Sequence, residues 1–307
     1  MKNVKQWINP GIRSMRPYHV PPAGDMIKLD AMENPYAWPE GLKVEWHAAL
    51  DTVAINRYPD PEASKLKESL RKLMAIPAEA GIMLGNGSDE LIQILAMALA
   101  GAGRHFLAPE PGFVMYRQIA LALNAGFCGV PLKPTDFALD PEAMLAAIEK
   151  YQPVLIFIAF PNNPTGNLFD RRALFEVIRR AQGLVVIDEA YHAYSGQSVI
   201  PHLNEFENLL VMRTLSKSGL AAIRLGYLLG PVAVLEELEK IRLPYNINAL
   251  TQATADFILT HYSILEEQFR SICASRETLS RHLTVPLFTA PAMRALNWPY
   301  RSRAMPD

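Results

Sequence analysis

The chain has 307 residues, a formal net charge of −1 and 50% hydrophobic residues. That near-neutral balance gives no electrostatic case for nucleic acid or an anionic membrane, and the length suits a large core in one major domain with a smaller one beside it. Two cysteines, Cys128 and Cys273, occur without a CxxC spacing, which fits buried thiols in a reducing compartment rather than a disulfide or a metal site. The first eighteen residues, MKNVKQWINPGIRSMRPY, lack the apolar centre of a signal peptide. The longest uncharged apolar run, Leu91 to Gly103, is too short to span a bilayer, so a cytoplasmic location is expected.

In chain order, residues 1–30 are proline-rich with mixed charge and read as an extended arm. Residues 62–76, EASKLKESLRKLMAI, have helical periodicity with a polar face. Residues 88–100 open on Ser88 as a cap, with Asp89 and Glu90 in the first turn, and then become apolar, which predicts a second helix. FLAP at 106–109 reads as a strand and MYRQIALALNAG at 115–126 as a helix closed by glycine. VLIFIAF at 154–160, LVVIDEA at 184–190 and NLLVMRT at 208–214 read as buried strands, with the amphipathic helix RRALFEVIRRAQ at 171–182 between the first two. Helices follow at 231–242 and 249–283, the latter broken in the 260s. Apolar strands alternating with helices predict an α/β fold, a mixed, mostly parallel sheet sandwiched by helices.

In open α/β sheets ligands bind beyond the carboxyl ends of the strands. The residues that follow each predicted strand are therefore the candidate site. PNNPTG, with Asn163, follows the 154–160 strand; Asp188 and Tyr191 follow LVVI; Thr214, Ser216 and Lys217 follow NLLVM. LGNGSDE leads into the helix at 88, and such a turn presents N–H groups and the positive helix end to a phosphate. Taken singly, each is an ordinary turn, cap or solvated lysine; their common edge is what favours a site. An amine delivered from a buried strand end has a depressed pKa and becomes nucleophilic toward an aldehyde. Pyridoxal phosphate needs this set: a lysine for its aldehyde, a helix N-terminus and a cation for its phosphate, a carboxylate for its ring nitrogen, donors for its phenolic oxygen and an aromatic stack.

The motifs MENPY at 32–36, RYPD at 57–60, GNGSDELI at 85–92, PGFVMY at 111–116, FPNNPTG at 160–166, VVIDEAY at 185–191, RTLSKSGLAAIRLGY at 213–227 and LPYNINALTQ at 243–252 occur in one order. In these the chain resembles the fold-type I pyridoxal-phosphate aminotransferases, and within them the histidinol-phosphate aminotransferases, from about residue 13 to 283. The resemblance implies that Lys217 forms the Schiff base and shuttles the proton, that Asp188 pairs with the pyridinium nitrogen, and that Asn163 and Tyr191 donate to the phenolic oxygen. It implies Phe113 on the ring face. Gly87, Ser88 and Asp89 then hold the phosphate, with Thr214, Ser216 and Arg224 completing that pocket. It implies that Tyr58 reaches the phosphate of a neighbouring subunit, hence a homodimer, and that Tyr18 and Asn34 lie near the substrate. Asn246 also falls in a family motif. Many relatives carry one more residue between lysine and arginine than the SKSGLAAIR run here, which marks a subtype. Arginine rather than lysine at 224 suits a bidentate phosphate contact, and a carboxylate against a pyridinium is expected to have a lowered pKa.

The seven histidines show no metal spacing, and His19, His47 and His192 read as surface or packing residues. Glu189 reads as a structural neighbour of Asp188. The resemblance implies a division into an arm at 1–30, a cofactor domain at 31–245, the start of a small domain at 246–283 and an atypical tail at 284–307. The tail has prolines at 286, 291, 299 and 306 and no sustained period, and reads as a truncation or frame change. The family's substrate arginine is not assigned to Arg294, Arg301 or Arg303. The implied reaction is transamination between L-histidinol phosphate, a small-molecule amino donor, and 2-oxoglutarate, the 2-oxo acid. Aromatic or other amino acids, decarboxylation of a phospho-amino acid, and an inactive cofactor-binding remnant are the alternatives.

Overall fold

The structure is a computed structural model that describes residues 6–13, 15–22 and 24–282. Seven strands form one sheet: β1 (Ala80–Asn86), β2 (His105–Glu110), β3 (Gly126–Pro131), β4 (Leu155–Ala159), β5 (Leu184–Asp188), β6 (Leu209–Thr214) and β7 (Leu225–Pro231). Their order is β1-β7-β6-β5-β4-β2-β3. From β6 to β3 every pairing is parallel, whereas β7 runs antiparallel to both β6 and β1. The expected mixed, mostly parallel sheet is therefore present.

The central strands are buried on both faces, and alternate residues enter two cores. On one side Ile156, Ile158, Val185, Ile187, Leu209 and Val211 pack in one cluster. That core is completed by α2 (Glu40–Leu50), α3 (Ser64–Leu73), α6 (Pro141–Tyr151), α7 (Arg171–Arg180), α9 (Ala249–Thr260) and α10 (Tyr262–His282). On the other side Leu155, Phe157, Val186, Leu210 and Met212 meet α4 (Ser88–Leu99), α5 (Val114–Ala122) and α8 (Val232–Glu239).

The break expected in the 260s falls at His261, between α9 and α10. The helix expected at 115–126 stops earlier. Asn124 turns left-handed at φ +56°, and Gly126 opens β3 instead of closing the helix. The N-terminal arm carries one short helix, α1 (Pro10–Arg13), which touches α5. Among the described residues no helix is long and apolar enough to cross a membrane. Cys128 and Cys273 are free and half-buried rather than fully enclosed. The prediction for residues 284–307, with Arg294, Arg301 and Arg303, lies outside the described residues.

Candidate active site

The carboxyl ends of β1, β2, β4, β5 and β6 open on one edge of the sheet, which is also where antiparallel β7 begins. Asp188 ends β5 and Thr214 ends β6. Lys217 sits in a single 3₁₀ turn, Ser216–Ser218, and Arg224 immediately precedes β7. Asn163 follows β4 and Phe113 leads into α5.

The Lys217 ammonium donates to the Ala31 carbonyl at 2.7 Å and lies 5.9 Å from the Tyr191 ring centroid. Burial holds its pKa below the ordinary lysine value, with Arg224 adding to the effect against the pull of Glu33, Asp89 and Asp188. A lysine so placed reaches its neutral, nucleophilic form at lower pH than a solvated one. The backbone under it is fixed as well. The Tyr194 hydroxyl donates to the Lys217 carbonyl at 2.5 Å, and the Tyr194 ring packs edge-on against Phe269 of α10.

Asp188 is 5% exposed. It accepts from the Tyr116 hydroxyl at 2.6 Å and from the Ala190 N–H at 3.0 Å. Burial pushes its pKa up to about 6, against these two hydrogen bonds. A lowered pKa was expected for a carboxylate against a ring cation. With neutral donors as its partners, desolvation prevails, and the expected lowering concerns the chain with a ring cation bound. Asn163 donates to the Tyr191 hydroxyl at 3.4 Å, and that hydroxyl donates to Met32 Sδ at 3.3 Å. Burial raises the Tyr191 pKa strongly, so it stays a phenol able to donate. Phe113 meets Tyr116 edge-on at 5.4 Å, beside the Asp188 pair.

The anion cradle forms where β1, α4 and β7 meet. The helix cap is Gly87 rather than Ser88, and no side chain caps the terminus. The first N–H groups of α4 are thus without a side-chain acceptor. Gly87 has φ +84°, and a Cβ there would stand 2.5 Å from Arg224 Nη2. A Cβ on Gly226 would stand 2.6 Å from the Ser88 nitrogen. Glycine at these two positions lets the guanidinium and the helix end close on one space. Arg224 adopts a left-handed φ of +51°, uncommon for a side chain of its size. It donates to Ser216 Oγ at 3.3 Å and lies 3.5 Å from Asp89 Oδ2. Thr214 Oγ1 and Ser216 Oγ share a 2.9 Å hydrogen bond.

These residues fit pyridoxal phosphate. A buried amine with a lowered pKa suits the aldehyde, and a buried carboxylate held up to about 6 suits a cationic ring nitrogen. The cradle between Gly87 and Arg224, which a Cβ would fill, suits the phosphate.

Three predicted residues stand outside that cluster. Tyr58 is 79% exposed and stacks on Tyr245 at 4.4 Å. Tyr18 is exposed on the arm. Asn34 is close to Gly219, two residues beyond the lysine, and its amide donates to Gln268 of α10 at 2.8 Å. Tyr116, Tyr194, Gln268 and the Ala31 carbonyl were missed as site residues. The i, i+3 spacing of Phe113 and Tyr116 in PGFVMY was a usable signal for the first; the others act through tertiary contacts without a sequence mark.

Glu189 turns away from the site, as the reading of a structural neighbour had it. It is fully buried and its Oε2 accepts from Arg213 Nε at 2.9 Å, Nη2 at 2.7 Å and the Ser198 hydroxyl at 2.9 Å. Oε1 accepts from the Val199 N–H at 2.6 Å. His192 packs beside it with a pKa held down to about 3 by burial and by Arg213. Glu189→Gln is expected to cost about 3–5 kcal/mol, because it strips the buried Arg213 of its counter-charge. Urea denaturation measures this, and a loss under about 1 kcal/mol would place the pair among exposed ones.

The sequence pattern of the family Aminotransferase class I and II matches residues 24–293. The chain is 52% identical over 280 residues to histidinol-phosphate aminotransferase 2 of Nitrosococcus oceani, covering 91% of this chain and 78% of that protein. It is 47% identical over 298 residues to histidinol-phosphate aminotransferase 2 of Cupriavidus pinatubonensis, covering 94% of this chain and 81% of that one. The crystal structure of histidinol-phosphate aminotransferase from Sinorhizobium meliloti in complex with pyridoxal-5′-phosphate matches with a TM-score of 0.79 and 25% identity, over 89% of this chain and 76% of that chain. With a buried lysine, a buried carboxylate and an anion cradle on the edge of this sheet, and with that pattern spanning most of its length, the chain belongs to the aminotransferase class I and II family.

Proposed function

We propose that the protein is a pyridoxal-phosphate-dependent aminotransferase that exchanges the amino group between L-histidinol phosphate and 2-oxoglutarate, a step of histidine biosynthesis. The observation that carries the reading is the convergence of Lys217, Asp188 and the Gly87–Arg224 cradle on one sheet edge. The relatives at 47–52% identity, named for histidinol phosphate, support the choice of donor. Bound here, the cofactor would supply an aldehyde that captures amines and a ring that accepts an electron pair when its nitrogen is protonated.

The chain's own part follows from its side chains. Lys217 would be the amine that holds the cofactor and the group that carries the proton to and from the substrate α-carbon. Its lowered pKa keeps a fraction of it neutral for that task. Asp188, steadied by Tyr116, would hold the ring nitrogen. Asn163 and Tyr191 would donate to the phenolic oxygen, and Phe113 would cover the ring. Gly87, Ser88, Asp89, Thr214, Ser216 and Arg224 hold the phosphate. Tyr58, exposed on the surface, serves the phosphate of a second copy, which makes the working unit a homodimer in the cytoplasm. Tyr18 and Asn34 meet the substrate. Residues 31–245 are the cofactor domain, residues 246–283 the start of a second domain, and residues 1–30 an arm.

A steady-state screen of amino donors with 2-oxoglutarate tests the substrate. L-histidinol phosphate is expected to give the highest kcat/KM, ahead of aromatic and acidic amino acids. Equal use of all donors would remove the assignment. Carbon dioxide release without a 2-oxo acid would replace transamination by decarboxylation.

A further inference from the structure

The anion cradle has a support that the site residues above do not include. Helix α4 begins on a glycine and has no side-chain cap, so nothing at its own terminus holds the first turn in register. Glu90, in that first turn, reaches back and its Oε2 accepts from the Asn86 N–H at 2.5 Å. This bond falls on the residue before the cap. It braces the turn while leaving the Ser88 and Asp89 N–H groups uncovered.

A carboxylate there carries a cost. It lies within one helical turn of the groups meant for a phosphate, and like charges repel. The structure answers with Asn246. Its Nδ2 donates to the same Glu90 Oε2 at 2.8 Å and to the Leu84 carbonyl of β1 at 3.2 Å. Its Oδ1 accepts from Arg242 Nη1 at 2.8 Å. Arg242 is itself tied to Glu239 and to the Pro61 carbonyl, with its side chain 9% exposed. An amide thus stands between a guanidinium and a carboxylate. It passes on the polarisation of the cation and fixes the carboxylate beside the end of β1. Tyr245, the residue before it, takes a left-handed φ of +57°, which turns the chain as it enters this contact.

We propose that Asn246 is a positioning residue of the phosphate cradle. Held by Arg242, it orients and partly neutralises Glu90, which braces the N-terminus of α4 so that its bare N–H groups are preformed for a phosphate monoester. The proposal rests on the cofactor reading above and adds a residue whose effect is on phosphate recognition rather than on the ring or the lysine.

The test is the binding of two aldehydes, pyridoxal 5′-phosphate and unphosphorylated pyridoxal, to cofactor-free protein, followed by absorbance and quenching of protein fluorescence. Asn246→Asp removes the donated hydrogen bonds and sets a second carboxylate against Glu90. It is expected to weaken pyridoxal phosphate about tenfold and pyridoxal less than about twofold, since the penalty is electrostatic and confined to the phosphate end. Adding E90Q to N246D is expected to restore most of the lost affinity, because the amide of glutamine can donate to the new carboxylate. Should N246D fold poorly, Asn246→Ala carries the same expectation with a loss of about threefold, the like charge being absent. Equal weakening of both aldehydes, no weakening of either, or no rescue by E90Q would overturn the proposal, since a merely structural role moves both ligands together. Wild-type protein that shows no preference for the phosphate ester would instead sink the cofactor reading on which the proposal stands.

Discussion

Lys217→Ala is expected to lower turnover by at least about 10³-fold, since on the proposed reading one side chain serves as both nucleophile and proton carrier and either role alone is worth roughly 10²–10⁴. The covalent readout is independent of activity. After borohydride reduction, the intact wild-type chain is expected to gain the mass of one phosphopyridoxyl group, the cofactor less the oxygen lost as water, and the variant chain none. The fold should survive. Tyr194 holds the backbone of residue 217 through its carbonyl, which alanine keeps, and Leu215 N–H still donates to the Leu225 carbonyl at the base of the loop. A variant that keeps its turnover, or keeps covalently bound cofactor, would disqualify Lys217. Loss of both together with loss of cooperative unfolding would point to a structural defect, and Lys217→Arg, which retains a cation near the Ala31 carbonyl, separates that case.

Asp188→Asn should move stability and activity in opposite directions. The Asp188 carboxyl rises from an unfolded value of 3.8 to about 6 on folding, through burial. An acid with a raised folded pKa is neutral in both states below the unfolded value, so it costs nothing there. As pH climbs through the folded value, the buried group must ionise or hold its proton against solvent, and stability falls by about 3 kcal/mol for a shift of two units. Asparagine removes that cost and can still meet the Tyr116 hydroxyl and the Ala190 N–H. Cofactor-free D188N is therefore expected to be more stable than wild type by about 2–3 kcal/mol at pH 8, with the gain shrinking toward zero as pH falls to about 4. Turnover is expected to drop by about 10²–10³, the scale of losing one preorganised charge at a developing centre. Chemical denaturation across pH checks the first part. A gain that does not vary with pH would show that the carboxylate is not the source of the strain.

How far the sequence reached depended on where the information lay. β4, β5 and β6 were legible because parallel strands buried on both faces must be continuous apolar runs. β7 was not, although it lies inside the sheet, because LGYLLGP carries two glycines that weaken a strand pattern. One of them, Gly226, is where the end of α4 comes within contact of the strand, so the residue that hides the strand is the one that admits the helix end. β1 and β3, each with glycines of their own, went unread for the same reason. The helix α6 had a signal that was not used, Asp140 capping the Ala143 N–H with proline at the first helical position. In the site, Lys217, Asp188 and Asn163 stood at strand ends and could be read from order alone, whereas Arg224 came from the family resemblance. Tyr194 and Gln268 could not, since each matters only through a partner 23 or 234 positions away.

The loop between β6 and β7 carries both Lys217 and Arg224, and its base is clamped by the Leu215–Leu225 hydrogen bond in the interior of the sheet. Its two 3₁₀ turns, Ser216–Ser218 and Ala221–Ile223, therefore act as a ruler between an amine and a guanidinium. Most surface loops absorb an added residue by bulging outward. Here the ends are fixed and both chemical groups lie within the span, so a change of one residue must be taken up by rewinding the turns themselves. Arg224, left-handed at φ +51°, ends that span with its guanidinium against Gly87.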